Sequence, residues 1–196
     1  MDARWSLGAG LGLGSGYYVG VGGLSPLPLP LGPLGARASL EYLLGEDLAL
    51  LLNGAGTYAR STVEESGVPE QRDPDVAYGL SAGVGLRKYV AGGQATRFSV
   101  HALLSAGFAR RETPNVSGLP QEERTRLGTV AVGLAVDREL LERLSVRVGA
   151  EVAGVSHVRI HSKNQLTEGE PPSEIRRNTT SASFYFAPSV ELRLAF

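Results

Sequence analysis

Apolar and polar positions alternate with a period of two along most of the chain. From Trp5 the odd positions carry Trp5, Leu7, Ala9, Leu11 and Leu13, while the even positions carry Ser6 and then Gly8, Gly10, Gly12 and Gly14. A strand sends successive side chains to opposite faces, so this stretch has one apolar face and one nearly bare face. The pattern recurs over Leu34–Tyr42, Leu48–Tyr58, Val76–Arg87, Arg97–Phe108, Val130–Val136, Leu144–Val152 and Phe184–Phe196, which makes eight predicted strands. The connections alternate in length. Short ones fall at Gly45–Asp47, Ala91–Gln94 and Asp137–Arg143; long ones run over Tyr18–Pro33, Arg60–Asp75, Arg110–Arg126 and Arg159–Thr180. Ends of one kind therefore gather on one side, and the chain is expected to run up and down. Asp137–Arg143 reads as a connection with at most one helical turn, too short to be a stable helix alone.

The second face decides which solvent the strands meet. In a soluble barrel it would carry long charged groups. Here it is mostly Gly, Ala and Ser with a few Arg and Glu, which suits the crowded inside of a narrow barrel. The other face is Leu, Val, Ala, Phe and Tyr, so the pattern is apolar outside and polar inside, the arrangement for lipid. Aromatic positions support this separately. Trp5, Tyr42, Phe98 and Phe196 fall at the short-turn ends of the apolar face, and Tyr17, Tyr58, Tyr78, Phe108 and Phe184 at the long-loop ends. At a rise of roughly 3.3 Å and a tilt of roughly 40°, the stretch from Phe98 to Phe108 climbs about 25 Å, the height of a bilayer's apolar band. An open sheet in lipid would leave backbone groups unpaired at several kcal/mol each, so the Trp5 strand is expected to close on the Phe196 strand.

Composition narrows the picture further. The 196 residues fit one domain, residues 1–196, and 19 basic against 20 acidic side chains leave no nucleic-acid footprint. The absence of Cys excludes disulfides and thiolate metal sites. No run of about 18 apolar residues offers a transmembrane helix. No basic segment followed by an apolar one marks a signal peptide, and Met1 before Asp2-Ala3-Arg4 reads as a start codon placed on a mature sequence.

With its opening Trp5-Ser-Leu-Gly-Ala-Gly-Leu-Gly-Leu-Gly14 and its closing Ser189-Val-Glu-Leu-Arg-Leu-Ala-Phe196, nearly the whole chain resembles the small eight-stranded outer-membrane barrels, the OmpA transmembrane-domain and OmpX type. The resemblance implies an eight-stranded antiparallel up-and-down transmembrane β-barrel. It also implies a Gram-negative outer membrane, short turns in the periplasm, long loops outside, and lipid bilayer and lipopolysaccharide as surroundings. Val190, Leu192, Leu194 and the terminal Phe196 are similar to the signal read by the barrel-assembly machinery. No peptidoglycan-binding segment follows Phe196, so that role of longer relatives is not carried over. A monomer without cofactor is expected, with the four long loops open to a surface partner.

The charges of the inward face are uneven. Glu41, Arg87, Arg97, His101, Arg147, Glu191 and Arg193 lie near the short-turn end, with Arg37 and Glu151 higher. One reading is a structural network, because buried charges need partners and Arg can grip a carboxylate with two hydrogen bonds. The other is a gate in a narrow channel, where five Arg against three Glu would favour anions. Small residues higher up (Gly79, Ser81, Ser105, Gly107, Ser183, Ala187) leave room for a small ligand unless Tyr185 or a loop fills it. Loop one is the candidate plug, since Leu24–Leu34 is rich in Pro and Leu and favours an extended path.

Some barrels of this kind are lipid A enzymes, and the deacylase type uses a His-x-Ser pair on one strand face. Here His161 and Ser162 are adjacent and would point to opposite faces; His157 has no Ser two places on; His101 shares a face with Ser99 but far from the outside. A non-enzymatic protein is therefore expected. The glycine run lies inside a strand and lacks a nucleotide-loop spacing. Asn115-Val-Ser117 and Asn178-Thr-Thr180 are glycosylation triplets by pattern alone, and Glu64, Glu65, Glu168 and Glu170 read as solvated surface rather than a metal site.

Overall fold

A computed structural model describes residues 4–12, 35–61, 75–93, 95–114, 120–164 and 171–196. It contains strands β1 (Trp5–Gly12), β2 (Gly35–Leu43), β3 (Leu48–Ser61), β4 (Asp75–Gly92), β5 (Thr96–Pro114), β6 (Pro120–Leu141), β7 (Leu144–Asn164) and β8 (Ser173–Ala195). Each strand pairs antiparallel with the next, and β1 also pairs with β8, which closes the barrel. Trp5 N–H donates to the Phe196 carbonyl at 3.2 Å and Phe196 N–H to the Trp5 carbonyl at 2.9 Å, so the seam starts at the short-turn end as expected.

The alternation sorts residues to the two sides of this wall. Leu7, Leu52, Leu80, Val84, Leu86, Leu104, Val130, Leu134, Val190 and Leu192 all face outward and are exposed. In water each such side chain would forfeit about 25 cal/mol per Å² of apolar surface; hydrocarbon removes that penalty, and the wall is a transmembrane one. Inside, Ser39, Glu41, Arg87, Ser99, Asp137, Arg147 and Arg193 are buried. The interior is not wholly small and ionic: Leu51 and Leu103 are buried there too. Both register on Gly85, which lies between them in one cross-strand row and leaves space for their bulk.

Two sequence expectations are corrected, and a third feature is new. First, Arg110–Arg126 and Arg159–Thr180 are largely strand, because β5 and β6 converge at Pro114 and Pro120, and β7 and β8 at Asn164 and Ser173. Strands β6 and β8 are 22 and 23 residues long, about twice the roughly 9–11 that cross a bilayer. Beyond the membrane both faces meet polar surroundings, so the alternation that marks a strand disappears. Second, Asp137–Arg143 holds no helical turn: β6 continues to Leu141, and the turn is Glu142-Arg143. Third, the inward parity of β7 switches at Val152. Glu151 registers with Gly133 and Ala153 with Val132, so a bulge turns Gly154 and Ser156 inward and Val155 and His157 outward.

At the end of β4, Gly92 has φ 128°, and a Cβ there would lie 2.2 Å from the Thr96 carbonyl oxygen, so this turn requires glycine. Leu104 lies midway between the Phe98 and Phe108 levels and is 57% exposed. Leu104→Arg is expected to lower stability by roughly 2–4 kcal/mol in lipid vesicles, measured by urea unfolding. An effect below about 0.5 kcal/mol would contradict the lipid-facing assignment.

Candidate functional site

Strand register collects the inward charges into a plug at the short-turn end. Glu41, on β2, is 2% exposed and is the hub. Its Oε2 accepts from Arg87 Nη1 on β4 and from Arg147 Nη1 on β7 at 2.9 Å, and Arg193 Nη2 on β8 lies 3.1 Å away. Its Oε1 accepts from the Tyr89 hydroxyl. Arg147 registers directly with Asp137 and grips it with two hydrogen bonds, Nε to Oδ1 at 2.7 Å and Nη2 to Oδ2 at 3.0 Å. Arg193 reaches Asp137 at 3.5 Å and donates to the Ser6 hydroxyl. Arg147 Nη2 also donates to the Tyr89 hydroxyl at 3.1 Å, and the Arg97 guanidinium sits 5.1 Å from the Tyr89 ring centre. Two carboxylates thus hold three guanidiniums, with a tyrosine bridging them and a fourth guanidinium lying over its ring.

The network extends upward in thinner form. Arg37 pairs with Glu151 at 3.0 Å, and the Ser39 hydroxyl donates to Glu191 at 3.0 Å. The Cε1–Nε2 edge of His101 lies against Gly133, where a Cβ would come within 2.5 Å of it, and its Nδ1 is buried without a hydrogen-bond partner. Ser99 donates to the Ala135 carbonyl at 3.5 Å instead of engaging His101. His101 is therefore a packed lumen residue.

Of the charged residues read from the sequence, Arg37, Glu41, Arg87, His101, Arg147, Glu151, Glu191 and Arg193 turn inward, and all but His101 join this bonding. Arg97 differs: it is exposed at the mouth. Asp137 and Tyr89 were missed. Asp137 was hidden by the turn-like run Asp-Arg-Glu-Leu-Leu-Glu-Arg, and Tyr89 lies just past the alternating stretch, beside an irregularity between Tyr89 and Ala91. The signal for both was parity, since 137 continues Ala131, Gly133 and Ala135, and 89 continues Gly85 and Arg87. With Asp137 counted and Arg97 at the mouth, four inward Arg oppose four carboxylates, and the expected anion-favouring excess disappears.

The aromatic positions lie on the outward face at both levels. Trp5 packs against Tyr42 at a tilt of 44° with ring centres 4.5 Å apart, Phe196 is exposed beside Trp5, and Phe98 is exposed at the same end on β5. At the far level Tyr78 meets Phe108 edge-on at 6.4 Å, Tyr58 is exposed, and Phe184 is 94% exposed. Tyr17 and the Leu24–Leu34 segment lie outside the described residues, as do Asn115, Glu64, Glu65, Glu168 and Glu170.

Above the far aromatic level the outward faces of β5–β8 carry ionic ladders. Glu174 takes His161 at 3.2 Å, Lys163 at 3.0 Å and Arg176 at 3.5 Å; Glu122 takes Arg110 at 2.9 Å and also Arg124. The Lys163 ammonium, then the His161 ring, hold the Glu174 carboxyl down to about 2. His161 and Ser162 lie on an extended strand and leave on opposite faces, so they form no catalytic pair. Among the described residues no cluster of His, Asp and Glu could hold a metal ion.

The barrel superposes on solved outer-membrane proteins. A major outer membrane protein from Thermus thermophilus superposes with TM-score 0.60 at 10% identity, covering 100% of both chains. Ail, the attachment invasion locus protein of Yersinia pestis, solved with the heparin analogue sucrose octasulfate, superposes with TM-score 0.51 at 14% identity, covering 99% of this chain and all of its own. No protein-family profile and no curated protein matches the sequence. The chain therefore has the fold of the small outer-membrane β-barrels.

Glu41→Gln removes a charge that three guanidiniums share, and is expected to destabilise the barrel by about 3–5 kcal/mol in urea titrations. A loss below about 1 kcal/mol would show that the plug does not depend on this hub. Carboxyl titration by NMR should place Glu174 near 2, with Lys163→Met raising its midpoint. A pKa depressed in the folded state means that any stabilisation by this ladder is complete above the ordinary carboxylate range and is lost only as pH falls towards 2. A midpoint near 4.5 would show the ladder is absent in solution.

Proposed function

We propose that the protein is a non-enzymatic integral protein of the bacterial outer membrane, whose work is done by the strands that leave the membrane rather than by its lumen. The observation that carries this reading is the contrast between the two ends. Glu41, Asp137 and their arginines fill the short-turn end, while β5–β8 continue past the far aromatic level with charged outward faces. A plug of interlocked side chains narrows any polar path open to ions. Charged hairpins suit contact with lipopolysaccharide or a surface partner. The outward Val190, Leu192, Leu194 and Phe196 at the end of β8 fit the role of assembly signal for the barrel-assembly machinery.

Planar-bilayer recording tests the choice between this and a narrow channel. The wild-type protein and Glu41→Ala should both lack a resolvable steady conductance. A steady, anion-preferring conductance in the wild type, increased by Glu41→Ala, would replace this reading with a gated channel.

A further inference from the structure

Arg126 on β6 and Arg159 on β7 are direct cross-strand partners, and both face outward and are exposed. Like charges directly opposite repel, so such a pair normally recruits an acid. Neither does so among the described residues. Arg159 donates from Nε to His157 Nε2 at 3.3 Å, and His157 is held in turn by Thr180 at 2.8 Å. The nearby outward acids are committed elsewhere: Glu112 to Arg110, Glu122 to Arg110 and Arg124, and Glu174 to Lys163 and its neighbours.

Their height identifies the missing anion. Arg126 registers with Phe108, the aromatic that packs against Tyr78. Aromatic belts mark the level where lipid headgroups begin. The outer wall immediately beside Arg126 is also hollow. A concavity of about 1160 Å³ spans β2–β6, with Ala38, Gly54, Ala82 and Ala106 among its lining residues and Leu80 and Phe108 beside them; Arg124 and Arg126 stand at its upper end. Ala38, Gly54, Ala82 and Ala106 are successive partners in one row. That row leads on to Gly128, which follows Arg126 by two positions and lies on the same face. An apolar trough that ends beside the uncompensated Arg126, with Arg159 as its cross-strand partner, is complementary to a lipid bearing a phosphate.

We propose that Arg126 and Arg159 bind the phosphorylated headgroup of a lipid in the leaflet at the hairpin end, with an acyl chain lying in the Ala38–Ala106 trough. The inference rests on the outer-membrane reading above and assigns its lipid contact to one face.

Native mass spectrometry of the folded protein, released from detergent micelles loaded with phosphorylated lipid A or its dephosphorylated form, tests it. The wild type should retain the phosphorylated lipid preferentially. R126Q and R159Q should each reduce that retention at least about fivefold. R124Q, whose guanidinium is committed to Glu122, should change it little. R126K/R159K keeps the charge and should retain part of the preference, which separates headgroup binding from misfolding. Equal retention of the two lipids by the wild type, or full displacement by millimolar inorganic phosphate, would overturn the site while leaving the barrel reading intact. Failure of the protein to insert into vesicles would overturn that reading instead.

Discussion

The structure depends on one constraint: inside hydrocarbon, every backbone N–H and C=O must find a partner within the protein. A sheet can meet it only by closing. Here the last strand returns to the first, with Phe196 and Trp5 exchanging hydrogen bonds at one end of the seam. Closure fixes the rest. It makes an outside that must be apolar and an inside too narrow for bulk water, so each side chain's parity becomes a choice between solvents. The outward Leu and Val and the inward Gly, Ser and Arg follow from that choice and not from any preference of the strands themselves.

Closure also explains why the interior is ionic. An eight-stranded cylinder leaves room for interlocking side chains, and charged ones are tolerated only when their partners are in reach. The register supplies them: Asp137 faces Arg147, and Glu41 stands where Arg87, Arg147 and Arg193 converge. Leu51 and Leu103 occupy the room that Gly85 leaves, so apolar bulk shares the lumen with charge. Outside the membrane the same strands obey different rules. Water reaches them there, and Glu174 is free to pair with Lys163 and His161 on an exposed face.

The fold was legible in the sequence because lipid imposes a strict period on every residue within it. Eight strands, their seam and the aromatic levels at Trp5, Tyr42, Phe98, Phe108 and Phe184 all follow from alternation. Most of the inward charges follow from parity alone. What escaped did so where that period weakens. The outer halves of β5–β8 carry polar residues on both faces, as in Glu122-Glu123-Arg124, so nothing marks them as strand. Asp137 sits in a run that resembles a turn by composition, though its parity is that of Ala135. The switch at Val152 has no local signature, since a bulge is set by how two strands register and not by one strand's own residues. The uncompensated Arg126–Arg159 pair is invisible for the same reason: their adjacency exists only once β6 lies beside β7.

The plug draws its members from β2, β4, β6, β7 and β8, so no single hairpin contains it. Arg147 and Asp137 meet as soon as β6 and β7 pair, but Glu41 and Arg193 are brought within 3.1 Å only when distant parts of the chain complete the ring. Until then one carboxylate and two guanidiniums stand without most of their counter-charges in a thickening apolar environment. Half-built cylinders are thereby penalised relative to finished ones, so the ionic cluster favours completion of the ring.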